Sequence, residues 1–581
     1  MMEKQELSGV WDFTFLSGTA TGTAVTEAKF DSLATVPGCF DLMPGTFLRR
    51  GTGIYRRHVT AGGCAELVSE GLGLRAEIYW DKRKIAEIDA PFSRNVIRFD
   101  AGEEGVHELI VAVGNEFDDS DGSLFRRNYD FYAHGGIYRP ITLAPAPKLH
   151  AEELKVIPLD PERGTVRISV RFGGAPLPDR AEIYFDRNGS PEILPLKNGA
   201  GSAEFTVPDA KLWSPETPFL HRARIVADGI GFPVSFGLRR IGIRGGRLLL
   251  NGKKLKLIGC NRHDSHPEFG YAVPTEIRLR DLLLMKQQGM NCIRGCHYPQ
   301  SEEFLDLCDR VGMLVWEESL AWGNSETSLR DPVFRARQLR ETRKMALKSI
   351  NHPSVIIRGF LNECQSSSPE ARPLIKSLVD MLHETDPSRP VTWGSCQLKN
   401  DVCLDLADII SFNTYPCWYG SNEDQFLNRE AVREQLRDLE EFASRPEYRK
   451  KALLISEIGA EAIPGLHGGQ RWSEEYQADL LETVVRFILD SKRYSGTLLW
   501  QFCDSRTYLS RQSPGRPGGF NGKGLVDRFR TPKNAWLRIG EVLREFRETE
   551  AASAAIQRKN GKTKPSRRRR QQPPAEFRPQ D

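Results

Sequence analysis

Val355-Ile356-Ile357-Arg358-Gly359-Phe360-Leu361-Asn362-Glu363 and Ala452-Leu453-Leu454-Ile455-Ser456-Glu457 are two apolar runs, each closed by a glutamate. Short continuous apolar runs of this kind read as strands buried on both faces, the pattern of a parallel sheet. Working outward from them, further strand candidates begin at Leu255, Asn291, Leu314, Val391, Ile409 and Gly496. Amphipathic helical stretches lie between most of these, for example 331–350, 371–385 and 474–491, with a last one at 535–547. Eight strand-helix alternations in about 300 residues are what a closed (β/α)8 TIM barrel needs, and this places one over residues 242–548. A doubly wound sheet is the alternative, but the glycine fingerprint expected after its first strand is absent.

Upstream the pattern changes to short alternating strands punctuated by Gly, Pro and Asp. Ala76-Glu77-Ile78-Tyr79-Trp80 and Glu108-Leu109-Ile110-Val111-Ala112-Val113 typify residues 1–148, an all-β sandwich signature. Val166-Arg167-Ile168-Ser169-Val170-Arg171-Phe172 and Ala181-Glu182-Ile183-Tyr184-Phe185 repeat it over 149–241, a length suited to one immunoglobulin-like β-sandwich. The chain therefore reads as multidomain. Residues 549–581 form a basic tail, with nine Lys and Arg, including Arg567 to Arg570, against three acids. Few apolar residues offset its ordering entropy, so disorder is expected there, and a solvated tail is preferred to a nucleic-acid arm.

Hydrophobic residues at 39% and charged residues at 27% match a soluble globular chain, and no apolar run approaches the roughly 20 residues of a membrane span. The start, Met1-Met2-Glu3-Lys4-Gln5-Glu6-Leu7, has no apolar signal core, so a cytoplasmic protein is expected. Eleven scattered cysteines make neither a disulfide scaffold nor a repeated Cys-x-x-Cys pair, and reduced thiols are expected. No nucleotide loop or Ser-His-Asp arrangement is present, so no cofactor is expected.

Active sites of such barrels lie at the C-terminal strand ends. Glu363 ends the fourth strand and Glu457 the seventh, facing each other across the ring. One such glutamate is usually a structural ion-pair partner; two opposed ones suit the carboxylate pair of a glycosidase.

Several short segments resemble glycoside hydrolase family 2, which includes beta-glucuronidases, beta-galactosidases and beta-mannosidases. They are Gly135-Gly136-Ile137-Tyr138-Arg139, Leu212-Trp213-Ser214-Pro215-Glu216-Thr217-Pro218, Leu250-Asn251-Gly252-Lys253, Asn261-Arg262-His263-Asp264, Ile293-Arg294-Gly295-Cys296-His297-Tyr298-Pro299, Asn362-Glu363 and Ser456-Glu457. The resemblance reaches to residue 548. It implies that the first domain is a jelly-roll-like sugar-binding β-sandwich and that anomeric configuration is retained. It also implies that Glu457 is the nucleophile, Glu363 the general acid/base, and Asn362 the partner of the sugar 2-hydroxyl. Tyr415 in Ser411-Phe412-Asn413-Thr414-Tyr415 resembles the tyrosine that holds the nucleophile ionised, His297 the histidine beside the sugar, and Asp130 the acid sent in by the first domain. Trp500, at the end of the eighth strand, suits an apolar platform for the ring. A packed histidine and a core tryptophan are the structural alternatives for His297 and Trp500.

Arg516-Pro517-Gly518-Gly519-Phe520-Asn521-Gly522-Lys523 resembles the Asn-x-Lys element with which beta-glucuronidases grip a substrate carboxylate. Arg516, Asn521 and Lys523 offer two cations and an amide donor, which suit an anion and have no such target on a neutral hexose. A terminal β-linked uronic acid, as in a glucuronide, is therefore the expected substrate. Two departures keep beta-galacturonidase and beta-galactosidase open: Asn261-Arg262-His263-Asp264-Ser265-His266-Pro267 is nearer the galactosidase form, and Phe520 is inserted after the paired glycines. His263, Asp264 and His266 read as pocket wall, so no metal is expected. A non-catalytic carbohydrate-binding protein on the same fold is the rival class. Monomer or homo-oligomer is left open.

Overall fold

The computed structural model describes residues 3–127, 129–185, 190–419, 425–508 and 516–561. The Arg567 to Arg570 run lies outside them.

The first domain pairs a six-stranded antiparallel sheet with a four-stranded one. Alternate residues of their strands, among them Trp11, Phe13, Tyr55, Leu67, Ile78 and Leu109, meet in one buried core. The second domain is a smaller sandwich of three and four strands. In its strand Thr165–Gly174 the inward positions Val166, Ile168, Val170 and Phe172 alternate with more exposed ones, the period of two that a half-buried sheet requires.

The barrel strands, numbered along the chain, are β1 (Leu257–Arg262), β2 (Cys292–Gly295), β3 (Leu314–Glu318), β4 (Val355–Gly359), β5 (Val391–Thr392), β6 (Ile409–Asn413), β7 (Ala452–Glu457) and β8 (Tyr494–Leu499). All are parallel, and the ladder runs β5-β4-β3-β2-β1-β8-β7-β6. The remaining β5–β6 seam is bridged by Thr392 Oγ1 donating to Ile409 O at 2.7 Å and by a Ser395–Phe412 bridge. Every residue of these strands is buried, because the helices cover one face and the barrel interior the other.

What places the site at one end is the sealing of the other. A three-stranded hairpin sheet (Ile241–Arg244, Arg247–Leu250, Lys253–Lys254) puts Ile241, Leu248 and Leu250 against Leu257, Leu314, Ile409 and Leu454. Arg239 adds hydrogen bonds to Pro353 O and Val355 O at the start of β4. At the opposite, polar end the first domain closes on the barrel through aromatic packing, with Phe92 stacked on Tyr298 at 3.9 Å between centroids. Phe125, Tyr129 and Phe131 join the barrel's core cluster and carry Asp130 to the barrel mouth.

The last helix, Asn534–Gly561, runs past residue 548 into the segment for which disorder is expected from composition. Its first half buries Ala535, Trp536, Ile539, Val542 and Leu543.

Candidate active site

Glu457 ends β7 with its carboxylate held from two sides. Arg294 Nη1, from β2, donates to Oε1 at 2.6 Å, and the Tyr415 hydroxyl donates to Oε2 at 2.8 Å. Both contacts fix the orientation of the carboxylate. Burial and the adjacent Glu457 charge push the Tyr415 phenol up, so it remains a donor. Arg294 is fully buried and also reaches Asn261 Oδ1, Asn362 Oδ1 and Glu318, which makes it the hub of the β1–β4 and β7 strand ends.

Glu363 follows β4 in a left-handed backbone conformation, with φ of 53°. A non-glycine residue there costs about 1–3 kcal/mol, and such strain concentrates where a side chain must be aimed. The turn is held by Glu363 N donating to Gly394 O at 2.8 Å. Gly394 has to be glycine: a Cβ there would lie 2.6 Å from Asn362 Oδ1 and 2.9 Å from Asn413 Oδ1. Asn413 Nδ2 donates to Glu363 Oε1 at 2.9 Å and to Asn362 Oδ1 at 3.1 Å. Burial, followed by the charge of Glu457, pushes Glu363 up to about 8. One carboxyl of the pair is thus kept protonated at neutral pH while the other is clamped by a cation and a phenol, the division of labour that acid catalysis with a carboxylate nucleophile needs.

Asn362 Oδ1 is consumed by Arg294 and Asn413, whereas its Nδ2 is buried without a partner among the described residues. That donor is free for a sugar hydroxyl. His297 pairs through Nδ1 with Glu318 Oε1 at 2.7 Å, leaving Nε2 unpartnered among the described residues and 3.8 Å from Glu457 Oε1. Burial, then Arg294, depress the imidazole, so it is neutral. Its ring stacks on Trp500 at 5.3 Å and 11°. Both carboxyls, Tyr415 and Trp500 line a cavity of about 760 Å³, together with Trp322, Trp418 and Trp472.

The charged wall of this cavity differs from the sequence expectation in its partners. Arg516 forms a bidentate ion pair with Asp130, and its Nε lies 3.5 Å from Glu461 Oε1. Lys523 Nζ donates to Glu461 Oε1 at 2.9 Å and to the Tyr419 hydroxyl at 2.8 Å. Asn521 Nδ2 reaches Asp130 Oδ2 at 3.4 Å. Arg516 and Asp130 line the cavity; Asn521 and Lys523 are buried behind this wall, each 1% exposed. The three basic and amide groups do converge, and internal acids balance the two cations.

His263, Cys296 and His297 bring one ligand atom each within 4.8 Å of one another. The Arg294 guanidinium, 3.4 Å from His297 Nδ1, sets a fixed positive charge against a cation there. Asp264 is instead committed to Arg262 and Arg278. Residues with clear positions here that received no role from sequence are Arg294, Asn413, Glu318 and Glu461. Arg294 and Asn413 sit inside the strand-end motifs already noted; Glu461 has no such signal.

An eight-stranded parallel barrel with two opposed, unlike carboxyls at its open end, under a sandwich that adds a charged wall, defines a glycoside hydrolase architecture. The model for the TIM barrel domain of glycosyl hydrolases family 2 matches residues 241–547, and the chain belongs to that family. It is 31% identical to beta-glucuronidase of Sus scrofa over 440 residues, 71% of this chain and 64% of that protein. Among solved structures it is similar to a beta-galacturonidase of Eisenbergiella tayi bound to galacturonate, with a TM-score of 0.84 and 31% identity over 94% of this chain and 97% of that one. It is likewise similar to a beta-glucuronidase of Faecalibacterium prausnitzii, with a TM-score of 0.83 and 26% identity over 94% and 98%.

Proposed function

We propose that this chain is a retaining, exo-acting hydrolase of terminal β-linked uronic acids, a beta-glucuronidase by first reading. Glu457 attacks the anomeric carbon while Glu363 gives its proton to the departing glycosidic oxygen, leaving a glycosyl ester on Glu457. Glu363, now a carboxylate, takes a proton from water as the water oxygen displaces Glu457, which regenerates both groups. Asn362 Nδ2 serves the sugar 2-hydroxyl, and Trp500 with His297 forms one wall of the ring site. The observation that favours a uronic acid is the convergence of Arg516, Asn521 and Lys523 at one side of the cavity. The wall of Asp130, Arg516 and Glu461 suits a blind pocket for a terminal residue.

Beta-galacturonidase is the second reading, favoured by the likeness to the Eisenbergiella tayi enzyme over nearly the whole chain. Rates on nitrophenyl β-glucuronide, β-galacturonide, β-glucoside and β-galactoside test both. A uronide ranks first if the proposal holds, and its epimer names the activity; a neutral hexoside ranking first refutes it.

A further inference from the structure

The loop 516–523 has a second face. On the inner side Arg516 and Lys523 are matched by Asp130 and Glu461. On the outer side Phe520, the residue inserted after the paired glycines, carries two guanidinium groups: Arg506 Cζ and Arg528 Cζ each lie 4.6 Å from its ring centroid. Arg506 is brought there by its antiparallel pairing with Phe520. A cavity of about 680 Å³ opens on this face, lined among others by Phe47, Arg50, Tyr132, Arg506, Phe520 and Arg528. Among the described residues its only acidic lining residue is Glu268.

Two features mark it as incomplete. None of Arg50, Arg506 and Arg528 has a carboxylate within 4.0 Å among the described residues, in contrast to the inner arginine and lysine. Arg50 Nη2, Arg506 Nε and the Tyr132 hydroxyl are also buried without a hydrogen-bond partner among the described residues, and Tyr132 is only 6% exposed. Desolvated donors left unpaired are unfavourable, and like charges gathered without a directly paired carboxylate are more so. An anion in the cavity offsets the second. The cavity is larger than an inorganic ion needs, and Phe47 and Phe529 present exposed rings at its edge, 55% and 50% exposed, which suit the apolar face of a sugar.

We propose that this outer cavity is a second binding site, distinct from the catalytic pocket, for a carboxylated sugar of the hexuronate class, its carboxylate held by Arg506 and Arg528. The choice of a hexuronate rests on the uronidase reading of the neighbouring pocket; the need for an anion does not. The two cavities share Thr507 and Tyr508 as lining, and Thr507 Oγ1 lies 3.4 Å from Asp130 Oδ1, so an occupant of the outer site bears on the inner wall.

Calorimetric titration of the full-length chain with glucuronate, galacturonate and galactose tests this. The wild-type chain should bind two equivalents of hexuronate. Arg528→Ala, a change at an exposed residue, and Arg506→Gln should each weaken one of them by about tenfold or more while leaving the melting temperature unaltered. Lys523→Ala should weaken the other. If the catalytic pocket instead prefers a neutral sugar, galactose fills it and hexuronate still binds one equivalent that Arg528→Ala removes; the outer site then stands although the uronidase reading falls. Hexuronate binding that both arginine variants leave intact, or galactose binding at the outer site as tightly as hexuronate, overturns the proposal.

Discussion

Asn413 Nδ2 donates to Glu363 Oε1 at 2.9 Å, the one hydrogen bond that works against the forces pushing this carboxyl up to about 8. A donor to a carboxylate favours its ionised form, so its removal moves the pKa further upward. In the proposed mechanism the first chemical step needs Glu363 protonated, and kcat/KM should therefore fall as pH rises through about 8. In Asn413→Ala that basic limb should shift to higher pH even as the rate falls. A limb displaced to lower pH would contradict the assignment of Glu363 as the acid.

The two carboxyls should fail differently. Glu457→Gln should abolish turnover of every substrate. Glu363→Ala should harm substrates with poor leaving groups most, because activated phenols need little protonation, and azide should restore turnover with a β-azide product. Equal loss on all leaving groups without rescue would remove the double-displacement reading.

Tyr415→Phe keeps the ring and deletes only the hydroxyl that donates to Glu457 Oε2. A hydrogen bond to a charged group is worth about 1.5–3 kcal/mol, so kcat/KM should drop roughly ten- to hundredfold. The melting temperature should stay within a few degrees, which separates a catalytic loss from a folding one. An unaltered rate would mean that the phenol does not tune the nucleophile.

Deletion of residues 562–581 should leave thermal stability and kinetic constants unchanged, since these residues are rich in Arg, Gln and Pro and poor in apolar side chains. A clear loss of either would mean that the segment docks on the fold.

The barrel was legible because each strand is a short apolar run whose polar terminus marks the open end, and Glu363, Glu457, Asn362, His297 and Tyr415 all sit at such ends. Glu461 was not legible. It lies four residues beyond Glu457, outside any strand, and its partner Lys523 comes from a distant loop, so no period or spacing joins them. The helix beyond residue 548 was missed because the composition of the whole basic tail masked its first part. Ala551-Ala552-Ser553-Ala554-Ala555-Ile556 is locally helix-forming and continues the preceding helix without a Gly or Pro break.

Glu461 also changes what the loop variants should show. Lys523 balances Glu461, so if the uronidase reading holds, Lys523→Ala both withdraws a cation from the substrate side and leaves a buried acid there. The effect on an anionic sugar should be larger than the loss of one contact.

The ratio of kcat/KM on the nitrophenyl uronide to that on the matching neutral hexoside, measured for wild-type enzyme and Lys523→Ala, is the most direct test of the uronidase reading. A general loss of stability lowers both rates and leaves the ratio alone. Withdrawal of a charge-assisted contact worth about 1.5–3 kcal/mol should instead lower the ratio by roughly tenfold or more, with the hexoside rate spared. A wild-type preference for the hexoside, or a ratio that Lys523→Ala does not move, would contradict the account and favour a galactosidase-like activity.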